Sequence, residues 1–108
     1  MKTDKNNAMR IHLLPNETVV KASESKHHKG KDAVMGKLIL TNQRILFTDS
    51  ENAQILLSIF PNCIQEVLPY HTGIFTSKGL EVVLKDGNTV RFTMGNVSDW
   101  TRLINKMY

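Results

Sequence analysis

The densest cluster of chemically active side chains lies between residues 21 and 31. Four lysines and two adjacent histidines stand there against a single acid, Glu24, so the stretch has a local formal charge of +3 with neutral histidines. Clustered ammonium groups beside a glycine, here Gly30, can hold a phosphate or lie against an anionic bilayer surface. The stretch is therefore a candidate anion- or lipid-binding site, formed by Lys26, His27, His28, Lys29 and Lys31, with Lys37 following it.

The expected strength of such a site is modest. Each lysine near an anionic surface contributes about 1 kcal/mol, and this attraction falls off within a Debye length. Two other interpretations stay open, namely a solvated loop whose charges only confer solubility and a contact with a protein partner. The two histidines also allow a pH-dependent loop, because imidazole titrates near neutrality, although adjacent side chains on a strand point to opposite sides.

The remaining reactive residues form no pattern of a metal centre or an active site. A metal needs three or four ligands, and His12 and His71 lie far along the chain from the histidine pair. The sequence has no Gly-rich phosphate loop, no G-x-S-x-G and no H-E-x-x-H. The single cysteine, Cys63, allows no internal disulfide, and its apolar neighbours predict a buried structural thiol. We therefore expect no catalysis, no metal and no cofactor.

Size and composition indicate one small domain. The 108 residues are 41% hydrophobic and 22% charged, with a net charge of +4 that favours anionic partners without identifying one. No apolar run approaches the roughly 20 residues of a membrane-spanning helix, and because the first residues are polar we expect no secretory signal. We expect a cytoplasmic protein, with the inner face of the membrane as a peripheral location.

Alternating apolar residues predict seven strands, which would have to position the basic cluster. A flexible lead-in over residues 1–10 precedes a single domain over 11–108. Asp86-Gly87 between two apolar runs is a strong hairpin signal. The fourth run is continuously apolar, which predicts a strand without a wet face. The predicted strands cover 18–24, 34–40, 44–49, 55–60, 64–68, 80–84 and 89–93.

The end of the chain has helical periodicity. Its apolar residues recur at i, i+3, i+4 and i+7, and Asn96 and Asp99 before them resemble a capping box. An antiparallel meander leaves exposed edges and an open apolar face. We expect the sheet to roll into a partly open barrel with this helix as a plug. The plugging residues would be Trp100, Leu103, Ile104 and Met107.

The order and spacing of these positions resemble the GRAM domain, a variant of the pleckstrin-homology (PH) superfold. The similar positions are Leu14-Pro15-Asn16-Glu17, Val20, Gly36, Leu38, Leu40-Thr41, Arg44, Leu46-Phe47, Ile59, Pro61, Ile64, Val67, Gly79-Leu80, Trp100 and Ile104. The resemblance implies a mainly β fold, a seven-stranded antiparallel, partly open barrel capped by one C-terminal α-helix. It also implies a non-catalytic binding module. In this superfold the first strand-to-strand connection often contacts phosphoinositide headgroups, although such binders usually carry paired basic residues on the second strand, where this chain has only Lys37.

Other partner classes remain as alternatives. We do not expect a nucleic-acid partner, because single-strand binders display aromatic side chains for stacking and only Tyr70, Phe75 and Tyr108 are free of the predicted core. A protein partner or a homo-oligomer is the main alternative to an anionic phospholipid surface. Ile74 and Phe75 in a Gly-containing loop support it, since exposed apolar loop residues suggest membrane insertion or a partner contact.

Overall fold

The computed structural model describes residues 12–29, 32–50, 54–72 and 77–107 of the chain. The predicted lead-in, Lys31 and the loop residues Ile74 and Phe75 lie outside the described residues, as does Tyr108.

Seven β-strands followed by one α-helix form the described structure, as the sequence predicts. A short 3-10 turn over Pro61–Cys63 connects the fourth strand to the fifth. The elements are β1 Val19–Lys29, β2 Asp32–Thr41, β3 Ile45–Asp49, β4 Ile55–Ile59, β5 Ile64–Thr72, β6 Ser77–Leu84, β7 Thr89–Thr93 and α1 Val97–Asn105.

All seven strands belong to one antiparallel sheet with the order β4-β3-β2-β1-β7-β6-β5. The long strand β1 pairs with β2 along most of its length and with β7 only at Lys26, His27 and His28. This shared strand joins the two halves, while β4 and β5 remain the two edges of an open sheet. The predicted mainly β, partly open arrangement with a C-terminal helix is confirmed.

The helix packs onto the core face of the sheet. Trp100 and Ile104 are 0% exposed, and Leu103 and Met107 are partly buried against the same cluster. The predicted role of Trp100 as a core plug is therefore confirmed. The helix contacts β5 and β6 and belongs to one core cluster with residues of the sheet. The members of that cluster include Leu38, Leu40, Phe47, Ile64, Val67, Leu80, Val82 and Phe92.

Gly36 allows two strands to approach closely at the centre of the sheet. A Cβ atom at this position would lie 2.0 Å from the Thr48 carbonyl oxygen and 2.7 Å from the Phe47 ring. No side chain fits at such distances, so glycine is required at this point of the β2–β3 pair. The sequence marks Gly36 only as part of the family resemblance, and the structure supplies the physical reason.

Three local expectations are wrong. Asn96 does precede the helix, but its backbone is left-handed (φ 55°) and no side-chain cap forms; its carbonyl oxygen instead accepts the Asp99 and Trp100 N–H groups. Leu56 in β4 is 44% exposed because β4 is an edge strand at the opening of the sheet. Cys63 is exposed because it ends the 3-10 turn that leads away from β4.

The first strand is also longer than predicted. It continues past Glu24 to Lys29 because two polar residues, Ser25 and His27, turn inward and are buried. The candidate basic loop is therefore the end of a strand pair rather than a free connection.

Candidate functional site

The candidate site residues lie on the β1–β2 hairpin. Lys26, His27 and His28 belong to β1, as does the backbone of Lys29, while Lys37 belongs to β2. The register places Lys26 opposite Met35 and Lys29 opposite Asp32. The site is therefore built on a regular two-stranded ladder, which fixes the backbone up to the turn.

Lys26 is the exposed cation of this ladder. It lies between Met35 of β2 and Thr93 of β7, and directly opposite residues share one face of the sheet. Met35 is 50% exposed, so a cationic and an apolar side chain face solvent next to each other. Within the described residues Lys26 forms no ion pair.

The two histidines point to opposite faces. His27 is 9% exposed, and its ring packs between Phe47 and Phe92 with centroid distances of 5.5 and 5.4 Å. His28 is half-buried on the outer face, where its Nε2 atom shares a hydrogen bond with the Thr93 hydroxyl. His28 thus shares the face of Lys26, whereas His27 belongs to the interior.

Acidic residues offset part of the basic cluster. Lys37 is half-buried, and the register sets it opposite the exposed Glu24. The exposed Asp32 stands opposite Lys29 in the same way. Lys21 turns toward the helix, with its Nζ atom 5.8 Å from the centre of the Trp100 ring. The positive potential of the outer face therefore depends most on Lys26 among the described lysines.

Arg91 is a neighbour of the site that sequence reasoning misses. It lies on β7 opposite His28, is exposed, and donates from Nε to the Glu81 carboxylate at 3.0 Å. Its guanidinium carbon also lies 5.4 Å from the centre of the Tyr70 ring. The alternation of β7 predicts an outward Arg91, but only the β1–β7 pairing brings it to the hairpin.

Glu17 and Arg44 form a buried ion pair. The Arg44 guanidinium donates from Nε to Glu17 Oε2 at 2.8 Å and from Nη2 to Glu17 Oε1 at 3.0 Å. The Thr41 hydroxyl donates to Oε2 at 2.5 Å, and the Leu14 N–H donates to Oε1 at 2.8 Å. The glutamate side chain is 0% exposed.

These donors decide the ionisation of Glu17. Burial by itself raises the pKa of a carboxyl group. Here the hydrogen bonds from Arg44, Leu14 and Thr41, together with the charge of Arg44, outweigh burial and lower the pKa of Glu17 from 4.5 to about 2. A carboxylate that is shielded from solvent and fully hydrogen-bonded is suited to holding two segments together and not to transferring protons.

The ion pair holds the segment before β1 against the turn between β2 and β3. The Asn42 side chain adds two contacts: its Oδ1 accepts the Thr18 N–H at 2.8 Å and its Nδ2 donates to the Asn16 carbonyl at 3.0 Å. Gln43 Nε2 donates to the Pro15 carbonyl at 2.8 Å. The polar turn and the Leu14–Glu17 segment thus form one clamp.

The described residues contain no group of three or more His, Cys, Asp or Glu side chains placed to hold a metal ion. None of their helices is long and apolar enough to cross a membrane.

Comparison with solved structures shows the fold. The C-terminal domain of an unknown protein from Leishmania infantum superposes with a TM-score of 0.72 at 18% identity, over 86% of each chain. The Vps36 N-terminal PH domain gives 0.70 at 19% identity, over 88% of this chain and 84% of that one. The Slm1 PH domain in complex with inositol-4-phosphate gives 0.64 at 12% identity, over 83% and 96%.

These likenesses show that the chain has a PH-like fold. No protein-family profile matches the chain, and no curated protein matches it either. The fold is therefore established, and the narrower resemblance to the GRAM variant stays a prediction.

Proposed function

We propose that this chain is a non-catalytic, GRAM-type binding module that contacts anionic membrane lipid from the cytoplasmic side. The contact is made by the β1–β2 hairpin with phosphate-bearing headgroups. The PH-like fold supports this proposal, since the Slm1 PH domain, a structural neighbour, has been solved with inositol-4-phosphate and with phosphoserine.

The observation that carries the proposal is the pairing of Lys26 with Met35. The ammonium group of an exposed lysine without an ion-pair partner among the described residues can meet a headgroup phosphate. The neighbouring thioether side chain, 50% exposed, can enter the boundary between headgroups and acyl chains. A cation beside an exposed apolar residue near a hairpin turn suits a membrane surface better than it suits bulk water.

The other candidate residues have graded roles in this proposal. Lys29 and Lys31 flank Gly30 in the sequence and add two positive charges to the proposed contact. Lys37 contributes less, because Glu24 stands opposite it. His28 is a secondary contact on the outer face. His27 acts only indirectly, by packing the hairpin onto Phe47 and Phe92.

This distribution of charge predicts weak binding. A few lysines at about 1 kcal/mol each, partly offset by acids, give an attraction that salt removes. We expect the chain to pellet with phosphatidylserine vesicles at about 0.05 M salt and to be released near about 0.5 M salt. We also expect little pelleting with phosphatidylcholine vesicles at either salt concentration.

A charge-reversed hairpin tests the proposal. The triple variant Lys26→Glu, Lys29→Glu, Lys31→Glu should lose vesicle binding. The matched control is Lys85→Glu, Arg102→Glu, Lys106→Glu, which changes the net charge equally at three exposed positions away from the hairpin and should keep most of the binding. Equal pelleting of the two triple variants would refute the hairpin as the contact.

Free inositol-4-phosphate separates headgroup recognition from attraction to a charged surface. We expect this soluble competitor to release the chain only at concentrations far above those of a specific site, because a few lysines on an open strand pair do not enclose a headgroup. Release at low micromolar competitor would contradict the predicted surface contact and indicate an enclosed phosphate site.

A further inference from the structure

The two edges of the sheet differ in how they are protected. Edge strands expose unpaired N–H and C=O groups, and natural proteins commonly protect them with charges or proline. The edge strand β5 carries Pro69 and the exposed Glu66. The other edge, β4, carries neither, and the whole stretch from residue 52 to residue 65 contains no charged side chain.

The hydrogen-bond pattern identifies which backbone groups of β3 face β4. The Thr41 N–H donates to the Arg44 carbonyl at 2.9 Å, so Arg44 directs its groups toward β2. Residues on an antiparallel strand alternate between their two neighbours. Ile45 and Phe47 therefore direct their groups toward β4.

The same alternation leaves a row of backbone groups on β4 that have no partner strand among the described residues. Leu57 stands opposite Phe47 and Ile59 stands opposite Ile45, the two β3 residues that direct their backbone groups toward β4. The N–H and C=O groups of Leu57 and Ile59 therefore bond to β3. The N–H and C=O groups of Leu56 and Ser58 then point away from the sheet. The register shift of this pair lies at its Ile55 end, so the pairing is regular from Leu57 to Ile59.

Exposed apolar side chains accompany these free groups. Leu56 is 44% exposed and Phe60 is 40% exposed, with the exposed Ser58 between them. In an extended chain these three alternate residues share one face. The edge thus offers hydrogen bonds and apolar contacts together.

We propose that β4 pairs with β4 of a second copy of this chain, antiparallel and with Ser58 on the two-fold axis. In this register Ser58 stands opposite Ser58 of the second copy, and Leu56 stands opposite Phe60 of the second copy. Leu56 and Ser58 direct their backbone groups outward in these pairs. Phe60, which is extended and follows β4, offers its N–H group, while its carbonyl oxygen already accepts the Cys63 N–H at 2.9 Å. The result is a continuous sheet through both copies, with the exposed leucine and phenylalanine covering each other.

A second copy fits this edge because the segment complements itself. Two chains of net charge +4 repel, and the contact between them is least costly where the surface is uncharged. An isologous contact needs one patch that matches its own rotated image. The Leu56-Ser58-Phe60 row meets this condition. The surface is separate from the Lys26 hairpin, so the inference does not depend on lipid binding.

Sedimentation equilibrium of the full chain tests the proposal. We expect the apparent mass to rise from the 12.3 kDa of the monomer toward twice that value between about 10 µM and about 500 µM. Leu56→Lys should weaken dimerisation at least tenfold. The matched control Leu68→Lys, at a 37% exposed leucine on the protected edge β5, should leave dimerisation unchanged.

A disulfide test reports the register without relying on the leucine variant. Opposite Cα atoms in a hydrogen-bonded antiparallel pair lie about 5.5 Å apart, within the range that a disulfide spans. Ser58→Cys in a Cys63→Ser background should oxidise to a covalent dimer faster than the control Thr89→Cys, which is exposed on β7. A wild-type chain that stays monomeric at all concentrations, a dimer insensitive to Leu56→Lys, or equal cross-linking of the two cysteine variants would each overturn the proposal.

Discussion

The carboxylate of Glu17 and the guanidinium of Arg44 form a buried bidentate ion pair between two segments that are 27 residues apart in the chain. The pair fixes the segment before β1 to the turn between β2 and β3, and from this anchored start β1 continues to the candidate hairpin. A buried ion pair adds little net stability compared with apolar residues of the same volume, but the loss of one partner leaves a buried charge uncompensated.

Glu17→Gln is therefore expected to destabilise the domain strongly. The substitution keeps the shape of the side chain but leaves the Arg44 guanidinium buried without a counter-charge. We expect a loss of about 3–5 kcal/mol in the free energy of unfolding, measured by urea denaturation. The control is Glu81→Gln, which removes the partly exposed pair with Arg91 and should cost less than about 1 kcal/mol. Equal losses of unfolding free energy in the two variants would contradict the claim that burial of the Glu17–Arg44 pair makes its disruption costly.

The lowered pKa of Glu17 makes the stability of the domain depend on pH. The pKa of Glu17 lies below its ordinary value in the folded chain, so its contribution is fully present above pH 4.5 and is lost as the pH falls toward 2. The drop in pKa corresponds to about 3 kcal/mol. In urea titrations at several pH values, the difference between wild type and Glu17→Gln should shrink across this window. If the difference in free energy of unfolding between the two proteins stayed constant from pH 6 to pH 2, the Glu17 carboxyl group would not be the origin of the pH dependence.

Trp100 is expected to dominate the contribution of the helix to stability. Its side chain is 0% exposed and packs in the main core cluster, so Trp100→Ala should cost about 3–5 kcal/mol. The matched control Arg102→Ala, exposed on the same helix, should change stability by no more than about 0.5 kcal/mol. Thermal melting compares the two variants, and similar melting temperatures for them would disprove the plug role.

Gly36 is expected to tolerate no side chain. A Cβ atom there would lie 2.0 Å from a backbone oxygen, which a rotamer change cannot relieve. Gly36→Ala should therefore destabilise by at least about 1–3 kcal/mol. Gly95→Ala, where a Cβ atom meets nothing within 4 Å, is the control and should be close to neutral. Circular dichroism during urea unfolding measures both variants.

The fold was predictable because its signals are local and repeated. Strand alternation located all seven strands, and the i, i+3, i+4, i+7 spacing located the helix with Trp100 and Ile104 in the core. The errors arose where local pattern and tertiary position disagree. The continuously apolar sequence around Leu56 predicts burial, but Leu56 lies on an edge strand and is exposed. Asn96 is a residue type that commonly caps helices, but its left-handed backbone forms no side-chain cap.

The candidate site was predictable only in part. Residue types alone drew attention to the hairpin, but they could not show that Glu24 stands opposite Lys37 or that His27 turns inward. The first fact depends on the register between β1 and β2, and the second depends on which residues of β1 face the core. The polar sequence of β1 has no clear hydrophobic alternation that would predict either. The partnership of Glu17 with Arg44 is a long-range contact of the same kind, although both positions belong to the family resemblance.

Amide chemical-shift mapping with anionic bicelles tests the central claim most directly. The ¹⁵N-labelled chain is titrated with bicelles that contain phosphatidylserine and, separately, with neutral bicelles. We predict that only the anionic bicelles shift the amides of residues 24–37, with Lys26 and Met35 among the largest changes and with Arg91 and Thr93 affected on the adjoining strand. An unchanged spectrum, or shifts confined to the helix or to β4, would contradict the account of the β1–β2 hairpin as the membrane contact.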